Sequence, residues 1–381
     1  MKIALIGPAY PLRGGIAHFT ALLARALQTR GHRVRIFSFT RMYPGLLFPG
    51  KTQYDTSQET LPVESVATLD SINPFSWRRT GAIVSAWNPD AVIFKYWMPF
   101  FAPAYACVAR QIRKRCNARI IFLCHNILPH ERHTGMAFLT RAGLGTADHF
   151  IVMSDAVQAQ LLSFFPQASF ARVPHPVYEF FTITTTKEAA RTQLGLGEGR
   201  IVLFFGYVRK YKGLSVLLDA FALARTRMPM KLIVAGEIYG DKAEYEDKIA
   251  AHHLQEDVQL LDQYIANEQV GLYYAASDVV ALPYLSATQS GIVQVCYQFN
   301  KPVIATDVGG LPEVVEDGRT GFVVPAGDAH AFADALVRFY AENRERDFSQ
   351  QIEQIKERYS WAHLVESIEK LLRERANGTG A

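Results

Sequence analysis

Between the apolar run Arg200–Phe205 and the helical pattern Leu214–Arg225, the chain places Gly206, Arg209, Lys210, Lys212 and Gly213 in one strand-to-helix turn. Backbone N–H groups and the positive end of a helix dipole gather at such a turn, and the cations add charge, so a phosphate-bearing ligand would be held there. A solvated basic loop is the other reading of the same residues. A second turn, Pro8–Gly15, puts Gly14-Gly15 at the start of a helix, where paired glycines let a ligand approach the backbone or simply make a tight turn. A third, running from His125-Asn126 to His130-Glu131, collects imidazoles, an amide and a carboxylate just past a strand, as a ligand cleft or a capping loop would. In Ser286–Gln294, which includes Gln289, Ser290 and Gln294, the hydroxyls, amides and Gly291 either cap the helix that follows or leave the N–H groups of Gly291, Ile292 and Val293 free for a diphosphate. Asp307–Glu313 sets the pair Gly309-Gly310 after the next strand.

These turns need strands that all end on one edge. Lys2–Ile6 and Val34–Phe39 read as strands, and the later runs Ala91–Phe94, Ile120–Leu123 and Phe150–Met153 are short and apolar on both faces, as parallel strands covered by helices are. Gly15–Arg30 carries Ile16, Phe19, Leu22, Leu23, Ala26 and Leu27 at helical spacing. A second series follows the loosely patterned stretch Pro174–Thr186, with strands at Arg200–Phe205, Lys231–Ala235, Val258–Leu260, Val279–Leu282, Pro302–Ala305 and Gly321–Val324. The expected architecture is α/β, two tandem Rossmann-like doubly wound parallel sheets facing across a cleft, with ligands at the strand carboxyl ends. Tyr43–Asn73, rich in Pro, Gly, Ser and Thr, reads as a long excursion from the first sheet. The tail from Ala329 to Arg375 reads as mostly helical.

The 381 residues suffice for two cores, and 49% hydrophobic with 20% charged residues is ordinary for a globular α/β protein. A formal charge of +4 does not point to nucleic acid as a partner. Cys107, Cys116, Cys124 and Cys296 include no C-x-x-C pair and read as reduced thiols of a cytoplasmic protein. The N-terminus reads as a first strand rather than a signal peptide. Tyr96–Ala109, an aromatic-rich uncharged run, is shorter than a membrane span and broken by Pro99 and Pro103. No metal site is expected, since no D-x-D follows a strand of the second domain and no His and carboxylate cluster has metal spacing.

Taken in order, Tyr10-Pro11 with Gly14-Gly15, Gly31-His32-Arg33-Val34, His125-Asn126, Gly206 with Arg209 and Lys212-Gly213, Asp278-Val279 with Pro283, and Pro302–Thr306 running into Gly309-Gly310 and Pro312-Glu313 resemble the group 1, family 4-like retaining glycosyltransferases of GT-B fold. The resemblance spans nearly the whole chain. It implies residues 1–178 as an acceptor-binding domain and 179–358 as the domain binding a nucleoside-diphosphate sugar, the co-substrate, with a C-terminal helix at about 360–377 crossing back to the first. By the same resemblance Arg209 and Lys212 neutralise the leaving diphosphate, Gly14 and Gly15 approach it, and His125 stands beside the transferred sugar. Gly206, Glu237, Gln289, Ser290, Gly291, Ile292, Val293 and Gln294 then fall on the donor side, and Arg13, His18, Asn126, His130 and Glu131 on the acceptor side. The chain departs from the family at its paired glutamates, whose positions fall on Ala287 and Val295, with Gln289 and Gln294 close by as neutral substitutes.

The activity so implied is transfer of a hexose to a glycan or lipid-linked acceptor, without a metal ion. A nucleotide-sugar epimerase of the same fold and a non-catalytic carbohydrate-binding protein stand as alternatives. A dinucleotide-dependent dehydrogenase is the weakest, because no G-x-G-x-x-G follows a strand. The aromatic and basic segment Trp97, Phe100, Phe101, Arg110, Arg113, Lys114 and Arg115 suits either a peripheral contact with the inner membrane surface or a core helix with a basic end.

Overall fold

The computed structural model describes residues 1–45, 48, 50–61, 63–128 and 135–374. The first sheet holds seven parallel strands: β1 (Lys2–Ile6), β2 (Arg33–Arg41), β3 (Ser65–Asp70), β4 (Ala91–Tyr96), β5 (Arg119–Cys124), β6 (His149–Val152) and β7 (Phe170–Arg172), in the order β3-β2-β1-β4-β5-β6-β7. The second holds six: β8 (Ile201–Phe205), β9 (Lys231–Ala235), β10 (Val258–Leu261), β11 (Val279–Leu282), β12 (Val303–Thr306) and β13 (Gly321–Val324), in the order β10-β9-β8-β11-β12-β13. Both orders reverse direction between their first and fourth strands. The chain therefore leaves each sheet to opposite sides there, opening a crevice at the strand carboxyl ends. Loops after β1 and β4 in one domain, and after β8 and β11 in the other, are thereby carried to a shared cleft.

Strand parity divides the core. Ala4 and Ile6 join a cluster on the outer face of the first sheet, while Ile3 and Leu5 point inward. The second sheet divides likewise, with Val202 and Phe204 outward and Ile201 and Leu203 inward. The two inner faces belong to one continuous cluster, joined by Val177, Tyr178 and Phe181 and by the helix Trp361–Arg373. Ser360 caps that helix by accepting from the His363 amide, and Trp361 Nε1 donates to the Val177 carbonyl at 2.9 Å. Farther along, Glu369 receives His32 at 2.9 Å and Arg30 at 3.1 Å, both from the first domain.

One expectation needs correction, and of two readings of the segment from Trp97 to Arg115 the structure bears out the core helix with a basic end. Tyr43–Asn73 is not wholly an excursion, because β3 lies within it; only Leu69 of β3 is buried, so an edge strand covered on one side left no strong alternation. The three-residue β7 at the opposite edge was hidden for the same reason. Trp97 and Phe101 are core residues with Phe100 half-buried, so the aromatics of the suggested membrane segment pack inward. Its cations Arg110, Arg113, Lys114 and Arg115 are exposed at the end of the helix Ala102–Arg113.

Candidate functional site

The excursion between β2 and β3 crosses the cleft and holds the domains together. Glu237, just past β9, receives Arg13 Nη2 at 2.5 Å and the Lys51 amide at 2.5 Å. Both members of the Arg13–Glu237 pair are buried, and the guanidinium lies over the ring of Tyr264 at 4.8 Å. Asn267 of the second domain donates its amide to the Glu59 carbonyl at 2.9 Å, and its N–H to Ser57 at 2.9 Å. Arg13 and Glu237, assigned to opposite sides of the reaction, are thus one interdomain pair. His18 stands 3.7 Å from Asp55 between the rings of Phe180 and Phe181. Burial pushes the Asp55 carboxyl up, but hydrogen bonds from His18 and Ser57 outweigh it and hold the group below the usual range.

On the second domain, the turn after β8 is shaped by two glycines. Gly206 has φ +94°, and Gly213 has φ +71° with the place of a Cβ only 1.9 Å from the Pro283 carbonyl oxygen, so no other residue fits there. That close approach buries Lys212 against the β11 loop, its Nζ 5.7 Å from the Tyr284 ring. Burial, and secondarily the charge of Arg209, lowers the Lys212 amine to about 7. Arg209 itself is exposed, its guanidinium 5.6 Å over Tyr239. Two cations this close, one of them desolvated, form a site that an anion would neutralise.

Gly14 caps the helix Gly15–Thr29 with φ +104°, and the place of its Cβ lies 3.7 Å from Tyr207 of the second domain. The Tyr178 hydroxyl donates to the Gly15 carbonyl at 3.2 Å and lies 3.2 Å from the place of a Cβ on Gly291. Ile292 packs on Gly206. Ser290 accepts from the Ile292 amide at 3.2 Å, which makes it the cap of the helix Gly291–Gln298, while Val293 is buried. The structure thus gathers Gly14, Gly15, Gly206, Lys212, Gly291 and Ile292 around one point.

Behind it stands His125, on the chain leaving β5. Its Nε2 is 2.5 Å from Lys95 Nζ, and its Nδ1 is 2.9 Å from the Gln289 amide nitrogen across the cleft. Asn126 pairs with Thr288 beside it. Both His125 nitrogens are engaged, and burial drives its pKa well down, so the ring is neutral. Gln294 is buried with an unsatisfied Oε1, as is the Oε1 of Gln289. Val295 belongs to the core and Ala287 is half-buried, which leaves no carboxylate at either position. His130 and Glu131 lie outside the described residues.

Sequence reasoning missed Lys95, His175 and Tyr178. Lys95 carried a signal, being the one charge within Ala-Val-Ile-Phe-Lys-Tyr, a strand otherwise apolar on both faces. Asp278, by contrast, is structural, accepting from the Ile201 amide and from Arg191.

Two doubly wound domains closed on a shared cleft, with desolvated cations and orphaned amide oxygens between them, define a GT-B protein. The family model described as "Glycosyl transferases group 1" matches residues 199–342, and "Glycosyltransferase Family 4" matches residues 13–178, together most of the chain. The chain belongs to the group 1, family 4-like glycosyltransferases. It is 29% identical to a D-inositol 3-phosphate glycosyltransferase of Corynebacterium urealyticum over 83% of this chain and 77% of that one. It is 33% identical to a phosphatidyl-myo-inositol mannosyltransferase of Mycobacterium leprae over 45% of each. Among solved structures, a sucrose-phosphate synthase of Thermosynechococcus elongatus matches with TM-score 0.72 and 21% identity over 98% of both chains. Anabaena HepE in complex with UDP matches with TM-score 0.75 and 20% identity over 98% of this chain and 99% of that one. At these identities the two structures bear on the fold alone.

Proposed function

We propose that this glycosyltransferase moves a hexose from a nucleoside diphosphate to a hydroxyl of a glycan or lipid-linked acceptor, with retention of anomeric configuration and without a metal ion. The observation that carries the reading is Lys212, a buried lysine beside Arg209 and the Gly206 turn. A desolvated cation is costly unless an anion joins it, and a diphosphate would do so. The name of the phosphatidyl-myo-inositol mannosyltransferase among the relatives, which denotes a lipid acceptor and a transferred hexose, supports the same reading.

In this reading the bond from the sugar C1 to the diphosphate oxygen breaks while a bond from C1 to the acceptor oxygen forms on the same face. The hydroxyl proton passes to the departing diphosphate, whose growing charge is met by Arg209, Lys212 and nearby backbone N–H groups. No enzymic carboxylate is required, in keeping with the apolar residues at Ala287 and Val295. Incubating the protein with nucleoside-diphosphate hexoses and a panel of acceptors, with chelator present, and following the product's anomeric proton by NMR tests each part. An inverted product rejects retention, and activity restored only by a divalent ion rejects the metal-free site. Donor turnover without acceptor would identify an epimerase, and binding without turnover a carbohydrate-binding protein.

A peripheral membrane contact belongs to the proposal, with the cations Arg110 and Arg113 kept and the buried aromatics replaced by exposed ones. Helices Pro74–Ala86, Ala102–Arg113 and Met136–Leu144 lie side by side on the first sheet. These helices expose Phe75 and Phe138 and also carry the exposed cations Arg78, Arg79, Arg110, Arg113 and Arg141. Apolar tips together with cations suit an anionic bilayer surface. Equal co-sedimentation with anionic and neutral vesicles would reject it. Among the described residues no helix is long and apolar enough to cross a membrane.

A further inference from the structure

Lys95 is the most anomalous side chain of the molecule. It lies on β4 with no exposed surface, its Nζ 3.2 Å from the centre of the Phe19 ring. No carboxylate among the described residues pairs with it; the groups facing it are Cys124, His125 and His175. The Tyr105 hydroxyl takes up its backbone carbonyl at 3.0 Å.

Its protonation state follows from the hydrogen bonds of its neighbours. The Gln289 side-chain nitrogen is 3.0 Å from the His125 carbonyl oxygen and 2.9 Å from His125 Nδ1. A carbonyl oxygen only accepts, so the NH₂ end of the amide faces it, and an NH₂ group only donates. Nδ1 must then accept, which puts the ring proton of a neutral imidazole on Nε2. That proton points at Lys95 Nζ, 2.5 Å away. An ammonium has no lone pair to receive it; an amine does. Burial without a counter-charge favours the same neutral form.

We infer that Lys95 is a positioning residue: its neutral amine holds His125 as the Nε2–H tautomer, and His125 in turn holds Gln289 across the cleft with its Oε1 turned away from the imidazole. That Oε1 is buried and unsatisfied, and it is the acceptor offered to a hydroxyl of the transferred sugar. The glutamine thereby supplies a neutral hydrogen-bond acceptor beside the alanine that stands at a family carboxylate position. The sugar contact rests on the proposed transferase function, whereas the charge state of Lys95 and the tautomer of His125 do not.

The test therefore begins without substrate. In the full-length protein labelled with ¹⁵N-histidine and ¹³C,¹⁵N-lysine, long-range ¹H–¹⁵N spectra at pH 7.5 should show His125 as the Nε2–H tautomer and Lys95 as an amine, with assignments from His125→Asn and Lys95→Met. An ammonium signal for Lys95, or a proton on Nδ1, overturns the inference whatever the protein catalyses. Two variants then separate hydrogen bonding from packing. Lys95→Met keeps the volume and loses the acceptor, so the KM for the sugar donor should rise about tenfold, the worth of one lost buried hydrogen bond. Lys95→Gln restores an acceptor and should recover most of that loss. Equal KM values for wild type, Met and Gln, or recovery by Met rather than Gln, reject the role in favour of simple core filling.

Discussion

Donor binding should weaken as the pH rises above neutrality, because the cation that meets the diphosphate is neutral there in the free protein. Burial lowers the Lys212 amine to about 7 from its ordinary 10.5. A bound diphosphate restores the proton, so binding at higher pH includes the cost of protonating Lys212, about 1.4 kcal/mol for each pH unit above its free value. UDP affinity should then be nearly flat below pH 7, fall about tenfold from pH 8 to 9, and lie about a hundredfold below its plateau at pH 9. Calorimetry in two buffers of different ionisation enthalpy reads both the affinity and the uptake of close to one proton at pH 9. The sign for stability runs the other way. With the folded value below the unfolded one, the native state binds fewer protons than the unfolded chain between about 7 and 10.5, and stability rises with pH across that window. Lys212→Met should accordingly abolish the pH dependence of UDP binding, weaken binding at pH 7, and raise the melting temperature at pH 7. Affinity independent of pH from 7 to 9 without proton uptake, or a Met variant that is less stable and binds normally, would refute the assignment of Lys212 to the anion site.

Glu237→Gln leaves the Arg13 guanidinium without its carboxylate in the domain interface, a change worth about 3–5 kcal/mol where the charge stays buried. The domains can relieve it by parting, so small-angle scattering should report a larger radius of gyration; an unchanged radius and melting temperature would show that the pair does not hold the cleft. Trp361→Ala removes a side chain 5% exposed and 4.8 Å from the Phe19 ring, and should cost about 3–5 kcal/mol in urea unfolding. A loss below about 1 kcal/mol would mean that the C-terminal helix is not what joins the two inner faces.

Much of this protein was legible from local pattern. Central parallel strands such as β4, β5 and β11 are buried on both faces, so each announces itself as an apolar run, and the loops after them inherit a known end of the sheet. The glycines Gly14, Gly206 and Gly213 were visible because a turn with positive φ needs them, and the cations Arg209 and Lys212 because charge stands out beside an apolar strand. Edge strands β3 and β7 were not, since burial on one side or over three residues leaves a pattern that loops also produce.

Partnership and solvation were decided only by the tertiary structure. Arg13 and Glu237 lie more than two hundred residues apart in the chain and meet because two sheets face one another. In sequence the turn holding Lys212 fits a solvated basic loop as well as a phosphate site, yet the approach of Gly213 to Pro283 buries the lysine and moves its titration toward neutrality. Lys95 reads in sequence as a flaw in a strand; its charge state follows from His125 of the next strand and Gln289 of the other domain. A side chain's type is local, whereas its desolvation and its hydrogen-bond partners are sums over everything the fold brings around it, and those sums set what each of these residues can do.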